Sequence, residues 1–114
     1  MKSKPSVADA PLGSFEEQVM LAVLRTGERA YGMTVRRELE NVTGRQVTIG
    51  SVYMTLDRLE AKGLLTSTRS GSGRDASSRR IFAVTRDGER ALTATKAMRE
   101  RLWKGVRLRP LPTP

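Results

Sequence analysis

The sequence contains no cysteine and no histidine. The first absence excludes disulfides and thiolate metal sites. The second removes the commonest general base and the commonest metal ligand together. No apolar run approaches the roughly 18 residues that a membrane span requires. The opening MKSKPSVADAPLG has no apolar h-region, so it does not read as a secretory signal. These absences point to a cytoplasmic chain without metal, cofactor or catalytic constellation. Its acids fall mostly at helix starts and on exposed faces, with no convincing carboxylate pair, so no enzyme is expected.

What is present is positive charge. The 114 residues carry 21 Lys and Arg against 12 Asp and Glu, a net charge of +9. The surplus is uneven. Residues 1–68 hold 9 basic and 8 acidic side chains, and residues 69–114 hold 12 basic and 4 acidic. Such asymmetry favours a polyanionic partner, nucleic acid before an anionic membrane surface. A solubilising surplus is the plain alternative. The length suits one domain with a core of its own, being above the roughly 70–80 residues where staples become necessary.

Residues 1–13 lack periodicity and read as a flexible N-terminal arm. Ser14 and Glu17 have capping-box spacing ahead of FEEQVMLAVLRTG, and Gly27 ends that helix. A second helix is predicted over about 32–42, closed by Thr43-Gly44. Arg36 and Arg37 lie on its outer side, but Glu38 and Glu40 beside them suggest a salt-bridged surface. Arg45-Gln46-Val47 reads as a short extended link, with room for one small strand. Thr48 then caps a third helix, TIGSVYMTLDRLEAKGLL, in which Ile49, Val52, Tyr53, Leu56, Leu59 and Glu60 share one side. Gly63 is a good residue to stop it. LLTSTR (64–69) and RIFAVT (80–85) have strand composition and flank SGSGRDASSR, so they read as a hairpin with a long loop. A last helix begins at Thr85-Arg86-Asp87-Gly88 and runs to about Gly105. RPLPTP is a Pro-rich tail without structure.

The fold class expected is therefore mainly α with a small β-hairpin, α+β. The order of helices and hairpin describes a winged helix-turn-helix over 14–86, a C-terminal helix over 87–107 and a disordered tail over 108–114. In that arrangement the third helix enters the DNA major groove. Gly50, Ser51, Met54, Thr55 and Arg58 are its groove-facing candidates. Gly50 and Ser51 lack bulk, so the helix N-terminus, whose free N–H groups favour phosphate, can come close. Ser51 and Thr55 carry donors, and Met54 suits a thymine methyl. An ordinary solvated face is the alternative. Arg69, Arg74, Arg79 and Arg80 would give the wing its charge, as phosphate or minor-groove contacts, against a merely solvated loop. Leu92, Met98, Leu102, Trp103 and Val106 are too many apolar side chains for a last helix without a partner, and suggest a homodimer contact. The same helix is basic enough to rest on a membrane surface, a reading that the winged-helix context makes secondary.

FEEQVMLAVL, Ala30-Tyr31-Gly32, RRELENVTG, IGSVYMTLDRLEAKGLL and RRIFAVTRDGERAL follow one another over Phe15 to about Leu92. In these pieces the chain resembles the PadR-type transcriptional regulators. LDRLEAKGLL alone is common to many winged helices; Tyr31-Gly32 together with Gly50-Ser51-Val52-Tyr53 is more specific. The resemblance implies a dimeric repressor on double-stranded DNA, often released by a small molecule. Here that would be a flat aromatic effector near Trp103. It also implies that the Tyr53 hydroxyl meets a phosphate, where the helical spacing alone equally allows a core tyrosine. Longer members carry an extended C-terminal helical region. One helix follows the wing here, as in the shorter branch. A protein- or RNA-binding winged helix remains the alternative function, because the third helix has few base-reading Asn, Gln or Arg side chains.

Overall fold

A computed structural model describes residues 10–69 and 79–110. Most of the proposed arm, part of the C-terminal tail and Arg74 of the wing lie outside the described residues. The elements run α1 (Ser14–Thr26), a 3₁₀ turn (Gly27–Arg29), α2 (Gly32–Thr43), α3 (Ile49–Ala61), β1 (Leu65–Arg69), β2 (Arg80–Val84) and α4 (Arg86–Trp103). This is the expected α+β winged helix-turn-helix with one helix after the wing.

α1 is the centre of the domain. Val19, Met20, Ala22 and Val23 are buried, and α2, α3, β2 and α4 all pack on it. Its N-cap is Gly13, one residue before the expected Ser14, and the Glu16 carboxylate accepts from the Gly13 N–H at 3.1 Å. Glu17, assigned to the cap by spacing, is instead nearly buried and takes a hydrogen bond from Arg99 Nη2 of α4 at 2.6 Å. The capping carboxylate is Glu16, one residue earlier, and Glu17 serves a long-range ion pair instead.

α2 closes on Gly44 in the left-handed conformation, φ 70°, where a side chain would be strained. The link to α3 bends at Arg45 and forms no strand; the Val47 N–H donates to Glu40 Oε2 at 2.9 Å, which ties the link back to α2. Thr48 caps α3 by accepting from the Ser51 N–H at 3.2 Å. Val52, Leu56 and Leu59 are buried, with Ile49 packed at the edge of the core.

β1 and β2 pair antiparallel from Leu65 opposite Val84 to Arg69 opposite Arg80. Leu65 and Phe82 face the core. The Phe82 N–H donates to Ala30 O at 2.9 Å, adding the segment before α2 to the edge of the hairpin. α4 starts from Thr85, whose hydroxyl donates to Gly63 O at 2.7 Å and accepts from the Gly88 N–H at 3.0 Å. It ends at Trp103, two residues short of the expected Gly105. Among the described residues, no helix is long and apolar enough to cross a membrane.

Candidate nucleic-acid interface

Gly50, Met54 and Arg58 stand four residues apart on α3 and form one exposed ridge. Met54 is 65% exposed. An added Cβ at Gly50 would meet nothing within 4 Å, so α3 is open to solvent at this position of its first turn. Ser51 is half-buried. Its hydroxyl donates to Thr48 O at 2.8 Å and accepts from the Thr48 hydroxyl at 3.0 Å, which secures the helix start. Thr55 corrects the expectation: at 5% exposure it belongs to the core side. It sits three residues after Val52 and four before Leu59, and helical phase, not polarity, decides its direction.

Tyr53 is half-buried, and its ring covers Gly32. A Cβ at Gly32 would lie 2.4 Å from Tyr53 Cζ and 2.6 Å from its hydroxyl oxygen. α3 can approach the start of α2 this closely only because residue 32 has no side chain. The Arg79 guanidinium lies over the ring of Tyr31, 5.9 Å from its centroid. Arg79, Tyr31, Gly32 and Tyr53 thus form a continuous strip from wing base to α3. The tyrosine hydroxyls have no hydrogen-bond partner among the described residues.

The wing arginines divide. Arg69 and Arg79 are exposed and make no ion pair among the described residues. Arg80 is held by two carboxylates of α3, Nη1 to Asp57 Oδ1 at 2.9 Å and Nη2 to Glu60 Oε1 at 2.5 Å. Burial disfavours its charge, but the hydrogen bonds to Asp57 and Glu60 more than compensate and raise its pKa above the ordinary arginine value. Local sequence gives no notice of this pairing. The one signal is Asp57 itself, an acid on an otherwise neutral or basic face.

The dimerisation candidates also separate. Leu92 is buried within its own chain and Met98 is half-buried, whereas Leu102, Trp103 and Val106 are exposed, Trp103 by 58%. Between α1 and α2 lies a second apolar surface, a groove of about 410 Å³ lined by Leu21, Leu24, Leu39 and Val42, with Arg25 and Glu38 at its rim. Among the described residues, no three acidic side chains gather in a way that could hold a metal ion.

The sequence model of the Transcriptional regulator PadR-like family matches residues 20–94. The chain belongs to this family. Solved structures agree. The complex of hsRosR with S4 superposes with a TM-score of 0.66 at 26% identity, covering 87% of this chain and 78% of that one. RosR of H. salinarum gives 0.64 at 27% identity, covering 83% and 78%. A PadR family transcription regulator from Clostridium difficile R20291 gives 0.58 at 19%, covering 80% and 88%, a likeness of fold. Among curated proteins none matches. As a PadR-like protein the chain is a DNA-binding transcriptional regulator and not an enzyme.

Proposed function

We propose that this PadR-like protein is a cytoplasmic, homodimeric repressor that binds a palindromic operator. The observation that carries the reading is the exposed ridge Gly50–Met54–Arg58 on α3, beside the wing arginines Arg69 and Arg79, which make no ion pair among the described residues. α3 enters the major groove with Met54 against base edges or thymine methyls and Arg58 toward guanine or phosphate. Ser51 holds the helix start, where free N–H groups face a phosphate. Arg69, Arg74 and Arg79 meet the flanking backbone or minor groove, and the Tyr53 hydroxyl donates to a phosphate. Met98, Leu102, Trp103 and Val106 join two chains, so that two α3 helices reach successive major grooves. A flat aromatic effector stacking near Trp103 would act through that junction.

Selection of bound duplexes from a random pool tests the whole reading. The expected product is a palindrome with half-sites about 34–36 Å apart. Arg58→Ala should change the selected sequence, whereas Arg79→Ala should weaken all sequences alike and flatten the salt dependence by roughly 0.9 in log K against log salt. A pool that returns no enriched sequence rejects site-specific repression. The competing reading, a protein- or RNA-binding winged helix, draws on the ridge's single base-reading side chain, Arg58, beside an acid, Asp57. Competition by RNA at equal affinity would favour it.

A further inference from the structure

The ridge of α3 carries an anomaly. Asp57 places a carboxylate beside Arg58, on a face that is to meet phosphates, where like charge repels. Its partner comes from the wing. Arg80, on β2, donates to Asp57 at 2.9 Å and to Glu60 at 2.5 Å, bridging two acids one turn apart. Its guanidinium lies 4.8 Å from the centroid of the Phe82 ring, a buried core side chain that limits its freedom. Glu60 is held from a second strand as well, since the Ser67 hydroxyl of β1 donates to Glu60 Oε2 at 2.7 Å. Both strands are therefore fastened to the same turn of α3.

The placement along the hairpin matters. Leu65 and Phe82 anchor the hairpin to the core, and Arg80 lies beyond them, opposite Arg69 in the last described rung. These two arginines share a rung and differ in use. Arg69 makes no ion pair among the described residues, while both terminal nitrogens of Arg80 are occupied. The planar fork of an arginine suits such a two-carboxylate bridge, which a lysine reproduces only on one side.

We propose that Arg80 is a positioning residue: its bridge to Asp57 and Glu60 fixes the angle between the wing and α3, and so sets how the two elements straddle the DNA backbone, without itself touching phosphate. The consequence for DNA rests on the operator-binding reading above; the consequence for wing geometry does not.

Three variants separate this role from a phosphate contact: Arg80→Gln, Arg80→Lys, and Asp57→Asn combined with Glu60→Gln. If Arg80 were a phosphate contact, the double variant would remove two repelling charges, free a cation and tighten DNA binding. As a positioning residue it predicts the opposite sign. Arg80→Gln and the double variant should each weaken the selected operator about fivefold, in line with a partly exposed ion-pair network. The salt slope of Arg80→Gln should stay at the wild-type value, and Arg80→Lys should recover part of the affinity.

The cysteine-free chain also allows a test without DNA. Nitroxides on Ala61→Cys of α3 and Thr68→Cys of β1, both exposed sites, report the angle as a distance distribution. The distribution should broaden in Arg80→Gln and in the double variant and narrow again in Arg80→Lys. Tighter binding by the double variant, with a slope loss of roughly 0.9 in Arg80→Gln, overturns the proposal. So does an unchanged distance distribution. If the wild-type protein itself binds no duplex, the operator reading fails, and the distances alone decide the bridge.

Discussion

Three glycines show how one absent methyl group carries opposite meanings. At Gly32 an added Cβ would collide with the Tyr53 ring, at 2.4 Å. Gly32→Ala should destabilise the fold by roughly 1–3 kcal/mol, as overpacking does, and Tyr53→Ala should relieve much of that cost. Denaturant titration of the two single variants and the double measures the coupling. At Gly88 the obstacle is the Leu64 carbonyl, 2.2 Å from an added Cβ. Backbone cannot swing aside as a ring can, so Gly88→Ala should be the worse substitution. Gly50 faces open space. Gly50→Ala should therefore stabilise the domain, by up to about 1 kcal/mol in helix propensity, while weakening operator binding by setting a methyl group where the helix nears the duplex. Opposite signs in melting and binding are the expected outcome; a loss in both would mean that residue 50 is a structural position. The value of Gly32 was visible in the sequence only as a motif, Tyr31-Gly32 with Gly50-Ser51-Val52-Tyr53. Its physical reason appears once α2 and α3 are seen to touch there.

Elements were legible where a local rule governs them, and illegible where a distant residue does. The spacing of Val52, Leu56 and Leu59 set the buried side of α3, and Thr48 and Gly44 marked helix ends by cap chemistry. The polarity of Thr55 suggests an outward side chain, but helical phase turns it to the core side. The bridge that Arg80 makes is illegible in the local sequence, because its carboxylates lie 20 and 23 residues away on another element. Glu17 left the cap for Arg99 of α4, 82 residues on. Glu16 shows what such ties do to stability. Burial alone would raise its pKa, but Lys62, at 2.8 Å, and the Gly13 N–H hold the carboxyl below its ordinary value of 4.5. A folded pKa below the unfolded one means that the charged form favours folding. The stability Glu16 adds is complete above pH 4.5 and is lost as pH falls through the folded value. Thermal melts from pH 7 to pH 3 should show Glu16→Gln less stable than wild type at neutral pH, with the two curves converging in acid. Parallel curves would mean that the Lys62–Glu16 contact between α3 and α1 adds nothing.

At the scale of the whole molecule, charge and apolar surface separate. The surplus of residues 69–114, 12 basic against 4 acidic side chains, begins at the wing and continues along α4, the element that also ends in exposed Leu102 and Trp103, with exposed Val106 just beyond it. Basic charge draws the protein toward DNA of any sequence; a dimer would supply the geometry that selects one. Because Leu102 and Trp103 are exposed in the single chain, Leu102→Ser with Trp103→Ser should leave the fold intact and act on association alone. Sedimentation should show the wild type as a dimer and the variant as a monomer. The decisive measurement is on DNA. Inserting about 5 base pairs between half-sites turns one away from the other by half a helical turn. Wild-type affinity should fall sharply with that insertion, because one rigid dimer can no longer reach both grooves. The variant should start weaker and be indifferent to it, each chain holding its half-site independently. Indifference in the wild type would mean that the two α3 helices are not coupled through α4, and that each domain reads DNA alone.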